Sequence, residues 1–301
     1  MPCATNCVPS IRESTSMPGF DVRIEVASEA GACFGVDRAL KLALRAAEEA
    51  IGPVHTLGPL IHNPSVVADL DRRGVSVVDG PQVAAGDTLL LRTHGVPPQV
   101  EEAAHQAGAI VVDATCPFVK KCHRAAEELA AEGRQVLIVG EAGHPEVEGT
   151  LGHVPEAMVV GGTDELDGIQ IKRRVGLVVQ TTLARDTLRA VVTSLVGRVE
   201  DLRVVDTICE ATTRRQQAAA ELAARADVMV VVGGLNSANT THLAQICGTY
   251  CERTFHIEEA GDLRREWFED ASLIGITAGA STPQTEIDIV RDAIGAFVRE
   301  R

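Results

Sequence analysis

Cys33, Cys116 and Cys209 each sit in a short polar loop between an apolar strand-like run and a helix-like run. Thiolates are soft metal ligands, and three of them at equivalent points of a repeated plan suit one shared centre. A closed structural zinc site takes four ligands, usually arriving as close pairs, and the chain contains no CxxC. An iron-sulfur cube normally takes four thiolates. With three, one iron keeps an open position, a Lewis acid beside a source of electrons. The chemistry expected of such a centre is reduction or elimination at a hydroxyl-bearing ligand.

A second group of residues describes the ligand. His62, His94 and His144, together with Thr181, Ser237, Asn239 and Ser281, occupy loops of the same kind as the cysteines. Neutral or switchable hydrogen-bond donors that converge without acid partners suit a phosphate-like anion. A single histidine is commonly a satisfied structural residue, but three at repeat-equivalent positions form a pattern. Glu146 follows His144 by two residues in a Pro- and Gly-flanked loop. It is either a desolvated acid able to deliver protons or an acidic residue that favours a helix start.

The elements that must position these residues recur along the chain. Val111-Val112-Asp113-Ala114-Thr115-Cys116 and Val204-Val205-Asp206-Thr207-Ile208-Cys209 superimpose, each with Asp three residues before the cysteine. From Cys116 to Gly140, and again from Cys209 to Gly233, the interval is 24 positions. The first copy lacks the Asp but keeps the order Cys33, Gly58, His62-Asn63. A further loop opens after each third apolar run, at Thr93-His94, Thr181-Thr182 and Thr277 to Ser281. Internal repetition takes precedence over a length-based domain count. After an extension at residues 1–20, it predicts three units at 21–108, 109–202 and 203–301.

Val36, Leu40, Ala43, Leu44 and Ala47 follow Cys33 at helical spacing, as Ala125, Ala126, Leu129 and Ala130 follow Cys116. The intervening runs are short and rich in Val, Leu and Ile, as strands covered on both faces are. The predicted class is α/β: three pseudo-threefold-related lobes with small, mainly parallel sheets around a central cluster cavity. Ligands gather at the carboxyl ends of parallel strands, and every loop named above lies at such an end.

Composition excludes other classes. No apolar run approaches the roughly 18 residues a membrane span requires, and 45% of the chain is hydrophobic. A net charge of −14 with only 3% aromatic residues opposes nucleic-acid binding, which wants basic grooves and stacking platforms. Residues 1–20 are rich in Ser, Thr and Pro, lack the apolar core of a secretion signal, and read as a disordered extension with a thiol pair, Cys3 and Cys7. Reduced thiols and a cytoplasmic location follow. Cys122, Cys247 and Cys251 read as small core residues, and residues 286–301 as a terminal helix.

Several motifs in unbroken order carry a family resemblance: Gly31-Ala32-Cys33-Phe34-Gly35-Val36, His62-Asn63, Thr93-His94-Gly95-Val96, Asp113-Ala114-Thr115-Cys116-Pro117, Gly143-His144-Pro145-Glu146, Gln180-Thr181-Thr182, Thr207-Ile208-Cys209 with Arg215-Gln216, Asn236-Ser237-Ala238-Asn239, and Ala278-Gly279-Ala280-Ser281. Over residues 22–298 the chain resembles the LytB family of 4-hydroxy-3-methylbut-2-enyl diphosphate reductases. The resemblance implies a 4Fe-4S cluster with three Cys ligands (Cys33, Cys116, Cys209) and one open iron. It implies reductive removal of an allylic hydroxyl, giving isopentenyl and dimethylallyl diphosphates in the last step of the non-mevalonate isoprenoid pathway. Glu146 is then the proton source, with His144 and Thr181 placing the hydroxyl; His62, His94, Ser237, Ala238, Asn239 and Ser281 hold the diphosphate.

The family usually has a second Ser where this chain has Ala238, so only the backbone N–H remains there. The electron donor implied is of the ferredoxin or flavodoxin type, docking on a local basic patch: Lys120-Lys121, Lys172-Arg173-Arg174 or Arg214-Arg215. A paralogue of the family with an altered substrate would share every motif, and two further readings share the three cysteines. One is a quinolinate synthase-like lyase, which has no evident use for the His144-Pro145-Glu146 loop; the other is a non-catalytic iron-sulfur carrier, which has no use for a donor-lined cavity.

Overall fold

The computed structural model describes residues 22–299. The extension at 1–20, with Cys3 and Cys7, lies outside them. β1 (Arg23–Val26) leads through the Cys33 loop into α1 (Phe34–Glu49). Next come β2 (Val54–Leu57), α2 (Pro64–Arg72), β3 (Val75–Val78), β4 (Thr88–Leu91), α3 (Pro98–Gln106) and β5 (Ile110–Asp113). The Cys116 loop opens α4 (Pro117–Ala131), followed by β6 (Gln135–Val139), α5 (Pro145–His153), β7 (Met158–Val160), β8 (Arg174–Val179), α6 (Arg185–Leu195) and β9 (Asp201–Val204). After Cys209 come α7 (Glu210–Ala223), β10 (Val228–Val232), α8 (Ala238–Tyr250), β11 (Thr254–Ile257), β12 (Leu273–Ala278) and α9 (Gln284–Arg299).

The strands form three four-stranded sheets of one design: β3-β2-β4-β5, β7-β6-β8-β9 and β11-β10-β12-β1. Every pairing among them is parallel. Parallel strands need crossover helices, and these cover both faces of each sheet. That explains why the central strands β4, β6, β10 and β12 are buried throughout and aliphatic without alternation.

The sheets correct the expected boundaries by one strand each. β5 pairs with β4, β9 pairs with β8, and β1 pairs with β12. The strand that leads into each cysteine therefore completes the preceding sheet. A boundary at 108/109 removes β5 from its sheet, and one at 202/203 cuts through β9. The amino-terminal strand belongs with the last third of the chain, so the repeat is closed in a ring.

The same ladder positions the cysteines. Beyond the strands, the backbone N–H of Cys116 donates to Thr93 O (2.9 Å), that of Cys209 to Thr181 O (3.0 Å) and that of Cys33 to Ala280 O (3.1 Å). Ala280 is thus the third-lobe counterpart of Thr93 and Thr181. Thr277, the residue aligned with them by sequence, lies inside β12, where it pairs with Val231. The recurrent aspartates close the turns before two of the cysteines: Asp113 Oδ1 accepts from Thr115 N (2.8 Å) and Asp206 Oδ1 from Ile208 N (3.1 Å). The first copy uses Gly31 instead, at φ +101°, a conformation open to glycine at little cost.

Thr207 holds the Cys209 loop to the sheet, its hydroxyl accepting from Val179 N (2.8 Å) and donating to Val179 O. Replacing it by the isosteric Val leaves that buried N–H unpaired and leaves Val179 O with only the Cys122 thiol (3.6 Å). Such a loss typically costs about 1–3 kcal/mol. Urea unfolding of Thr207→Val is expected to show a destabilisation of this size.

Candidate active site

Each of the three cysteines is the N-cap of a helix: Cys33 of α1, Cys116 of α4 and Cys209 of α7. A helix N-terminus carries partial positive charge and favours a thiolate. Cys209 Sγ accepts from Thr212 N (3.3 Å) and lies 3.0 Å from Thr212 Oγ1. Burial pushes the Cys116 thiol up to about 11, with Cys33 and Cys209 close enough to add charge repulsion. A methyl group on Gly35 would lie 2.7 Å from Cys116 Sγ and 3.8 Å from Cys33 Sγ, so those two sulfurs face each other across the space that glycine leaves free.

Among the described residues, no three Cys, His, Asp or Glu side chains gather tightly enough for a single metal ion. Three thiols lining one cavity are soft donors of the kind that metal atoms of an iron-sulfur group take.

That cavity, of about 100 Å³, is lined by all twelve residues expected of the site: Cys33, His62, His94, Cys116, His144, Glu146, Thr181, Cys209, Ser237, Ala238, Asn239 and Ser281. The second loop of each lobe supplies a helix N-cap: Asn63 for α2, His144 for α5 and Ser237 for α8, the last two lining the cavity.

Glu146 stands in the first turn of α5, yet it is only 2% exposed. Its Oε1 accepts from Thr181 N (2.6 Å), and the Thr181 hydroxyl lies 2.8 Å from Oε2. Burial raises the carboxyl to about 7, although both Thr181 groups favour the charged form. Glu146 thus stands at a helix start with its carboxyl raised toward neutrality by burial. His144 Nδ1 accepts from Glu146 N (3.1 Å), which places the proton of its neutral form on Nε2.

His62, His94 and His144 form one ring cluster, with centroids 4.4, 5.7 and 5.6 Å apart. Burial is the largest cause of a lowered pKa in all three, bringing His144 to about 4. Nearby positive charges, Arg92 among them, act in the same direction. The rings are thus neutral at pH 7. His62 Nε2, His94 Nδ1 and Asn239 Nδ2 are buried without a partner, and the opening turn of α8 adds amides with no intrahelical acceptor. Buried polar atoms rarely stay unpaired, so these orphans mark where an anion belongs. The serines are already engaged: Ser281 Oγ donates to His62 O (3.0 Å), and Ser237 Oγ accepts from Thr240 N (3.4 Å).

Two cations stand near these groups, Arg92, which the sequence analysis gave no role, and Arg215, which it gave no role beyond a surface basic patch. Arg92 is part-buried behind the imidazoles, and Arg215 lines the cavity itself. Neither has an ion pair among the described residues. The signal for Arg92 was available, since it is one charge ending the apolar run Leu89-Leu90-Leu91. Arg215 sat in a helix with few aliphatic landmarks.

The sequence profile of the LytB protein family matches residues 24–295. The chain belongs to the LytB family. It is 43% identical over 277 residues to the 4-hydroxy-3-methylbut-2-enyl diphosphate reductase of Aquifex aeolicus, covering 91% of this chain and 96% of that one. The reductase of Geobacter sulfurreducens is also 43% identical over 277 residues, with coverage of 92% and 98%. A solved structure of (E)-4-hydroxy-3-methyl-but-2-enyl diphosphate reductase, described as the terminal enzyme of the non-mevalonate pathway, is 42% identical. It superimposes with a TM-score of 0.69 over 91% of this chain and 99% of that one. The reductase from Plasmodium falciparum is 26% identical and superimposes with a TM-score of 0.85, covering 94% and 88%. LytB membership sets aside the condensing-lyase and electron-carrier readings of the three cysteines.

The raised Glu146 carboxyl has a measurable sign. Between an unfolded value of 4.5 and a folded value of about 7, the native state holds a proton that the unfolded chain has released. The contribution is therefore full below pH 4.5 and is lost as pH rises through 7. Stability of the parent chain relative to Glu146→Gln is expected to fall by on the order of 3 kcal/mol from pH 4.5 to 8. Denaturant titrations across that range check it; a flat difference would remove the buried-acid assignment.

Proposed function

We propose that this chain reduces (E)-4-hydroxy-3-methylbut-2-enyl diphosphate, replacing its allylic hydroxyl by hydrogen at the expense of two electrons and two protons and releasing water. Isopentenyl and dimethylallyl diphosphates result from protonation at either end of the allylic system. The observation that carries this reading is the placement of Glu146: a buried carboxyl near pKa 7 in one cavity with three thiols and three neutral imidazoles.

The 4Fe-4S cluster, held by Cys33, Cys116 and Cys209, would supply the electrons and a Lewis-acidic corner. The donor set fits it: three soft sulfurs at helix N-termini, with Gly35 keeping clear the space between two of them. The remaining work falls to the chain. Protonated Glu146 donates through Oε2 to the Thr181 hydroxyl, which can turn its own proton toward the substrate oxygen. His144, its Nδ1 fixed by the Glu146 amide, offers Nε2–H to the same oxygen. As water leaves, Glu146 becomes the carboxylate that the two Thr181 donors stabilise, so the pair serves both protonation states.

The diphosphate lies against His62, His94 and Asn239, whose unpaired nitrogens it satisfies, with Ser237, Ser281 and the amide of Ala238 beside them. Neutral imidazoles and a helix N-terminus hold the anion largely by hydrogen bonds. Arg92 supplies formal charge from behind. The side chain missing at Ala238 is offset by these buried donors.

The electron donor is an acidic one-electron carrier of the ferredoxin or flavodoxin type, and the pairing of the surface cations supports one landing site over the others. Lys172-Arg173-Arg174 lies at the amino end of β8, opposite the cavity, with Arg173 paired to Glu200 and Arg174 to Asp201. Arg215 is buried, and Arg214 is paired with Glu29 and Glu210. Lys120 pairs with Asp113. Lys121 is exposed one turn beyond Cys116, with no ion pair among the described residues and the partly exposed ring of Phe118 nearby in sequence. This end of α4 is the docking patch.

Glu146→Gln is expected to retain iron and sulfide while turnover falls by at least about a hundredfold, the usual scale for a general acid. Unchanged turnover would reject Glu146 as the proton source. Lys121→Glu is expected to slow reduction by the protein donor several-fold at low salt and to leave dithionite-driven turnover intact. The difference should vanish at high ionic strength.

A further inference from the structure

Arg215 is 4% exposed, and only one of its nitrogens is accounted for: NH2 donates to Gly31 O at 2.7 Å. Nε and NH1 are buried without partners. No carboxylate pairs with it among the described residues. A guanidinium stays charged in proteins, and a buried charge without an opposite charge is strongly destabilising. The ionisable groups that favour the charged form of Arg215 are the thiols of Cys33 and Cys209 and the carboxyl of Glu29, with Arg214 acting against them.

The repeat shows that the position does not require a charge for packing. Helices α1, α4 and α7 each begin one residue after their cysteine, so the sixth residue beyond Cys33, Cys116 and Cys209 is equivalent in all three lobes. These residues are Ala39, Cys122 and Arg215, and all are buried. Two lobes fill the place with a small side chain. The third places a cation there, pointed into the cavity and tied to the loop that carries Cys33.

We propose that Arg215 is a positioning residue that supplies the counter-charge of the cluster and thereby raises its reduction potential. The inference rests on the reductase reading above. Three thiolates leave a 4Fe-4S cluster anionic, and one added electron makes it more so without breaking a bond. A fixed cation beside two of the ligands stabilises the reduced form more than the oxidised one, and net charge and hydrogen bonds to sulfur are established determinants of cluster potential. The Nε–H and NH1 donors, orphaned in the chain alone, are available for the cluster and its sulfurs.

The test compares wild type, Arg215→Gln and Arg215→Lys after anaerobic reconstitution, by iron and sulfide content, dithionite titration followed by EPR, and thermal melting with and without cluster. Arg215→Gln is expected to disfavour reduction at least tenfold, a downward potential shift of about 59 mV for one electron. Arg215→Lys, which keeps the charge, should stay within threefold of wild type. Without cluster, Arg215→Gln should melt no lower than wild type, because an unpaired buried charge has been removed; with cluster it should lose the advantage. Should Arg215→Gln not fold, Arg215→Lys decides. A wild-type-like potential supports the charge, and a tenfold loss of reduction overturns it in favour of the Gly31 hydrogen bond. Equal potentials in all three proteins overturn the proposal outright, as does a cluster-free melting loss equal to the loss with cluster. A wild type that binds no iron or sulfide overturns the reductase reading instead.

Discussion

The site depends on a continuation of the sheet hydrogen bonding past the ends of the strands. In each lobe the amide of a cysteine donates to the carbonyl of the loop that leaves the adjacent strand, at Thr93, Thr181 and Ala280. One bond thus fixes two functional loops at once, because the same loops carry His94, the Thr181 hydroxyl and Ser281. The three sheets turn their carboxyl ends to a common interior, and the helices that open there point their N-termini inward. Thiolates and a diphosphate are both anions, so in the proposed reading one backbone arrangement serves both parts of the site.

Contacts between lobes then close the interior. Asn63 Nδ2 donates to Ser281 O, Ser281 Oγ to His62 O, and Arg215 to Gly31 O. His242 meets Glu141 at 3.2 Å. The pairing of β1 with β12 binds the start of the described chain to its last sheet and completes the ring. The resulting desolvation works on the titratable groups in opposite senses: it keeps a proton on Glu146 and removes protons from His62, His94 and His144. Burial penalises whichever form is charged. A carboxylic acid ready to donate and neutral rings ready to hydrogen-bond therefore have one cause.

Much of this was legible in residue order. The spacing of Cys33, Cys116 and Cys209 from the following helices revealed the repeat, and the Asp of Val-Val-Asp proved to be the acceptor that closes the turn before two of the cysteines. Strand membership was less legible. β5 and β9 stand directly before cysteine motifs, so they read as the start of a unit, although their partners β4 and β8 lie behind them. Pairing in parallel sheets joins residues far apart along the chain, and nothing local in Arg23–Val26 announces a partner at Leu273–Ile276. Thr277 misled for a similar reason: β12 runs on to Ala278, which moves the loop beyond it.

By itself the sequence determined the α/β class, the threefold plan and the inventory of ligating and donating groups, because periodicity and residue type are local properties. The tertiary structure decided which of those groups are charged, which are already satisfied and which wait for a ligand. Glu146 and Glu148 both stand in the first turn of α5, yet Glu146 is buried and Glu148 is exposed. Lys121 and Arg215 are both basic residues in helices that follow a cysteine, yet one faces solvent and the other is buried. Solvation is set by what the rest of the chain packs around a group, and only the assembled lobes supply that environment.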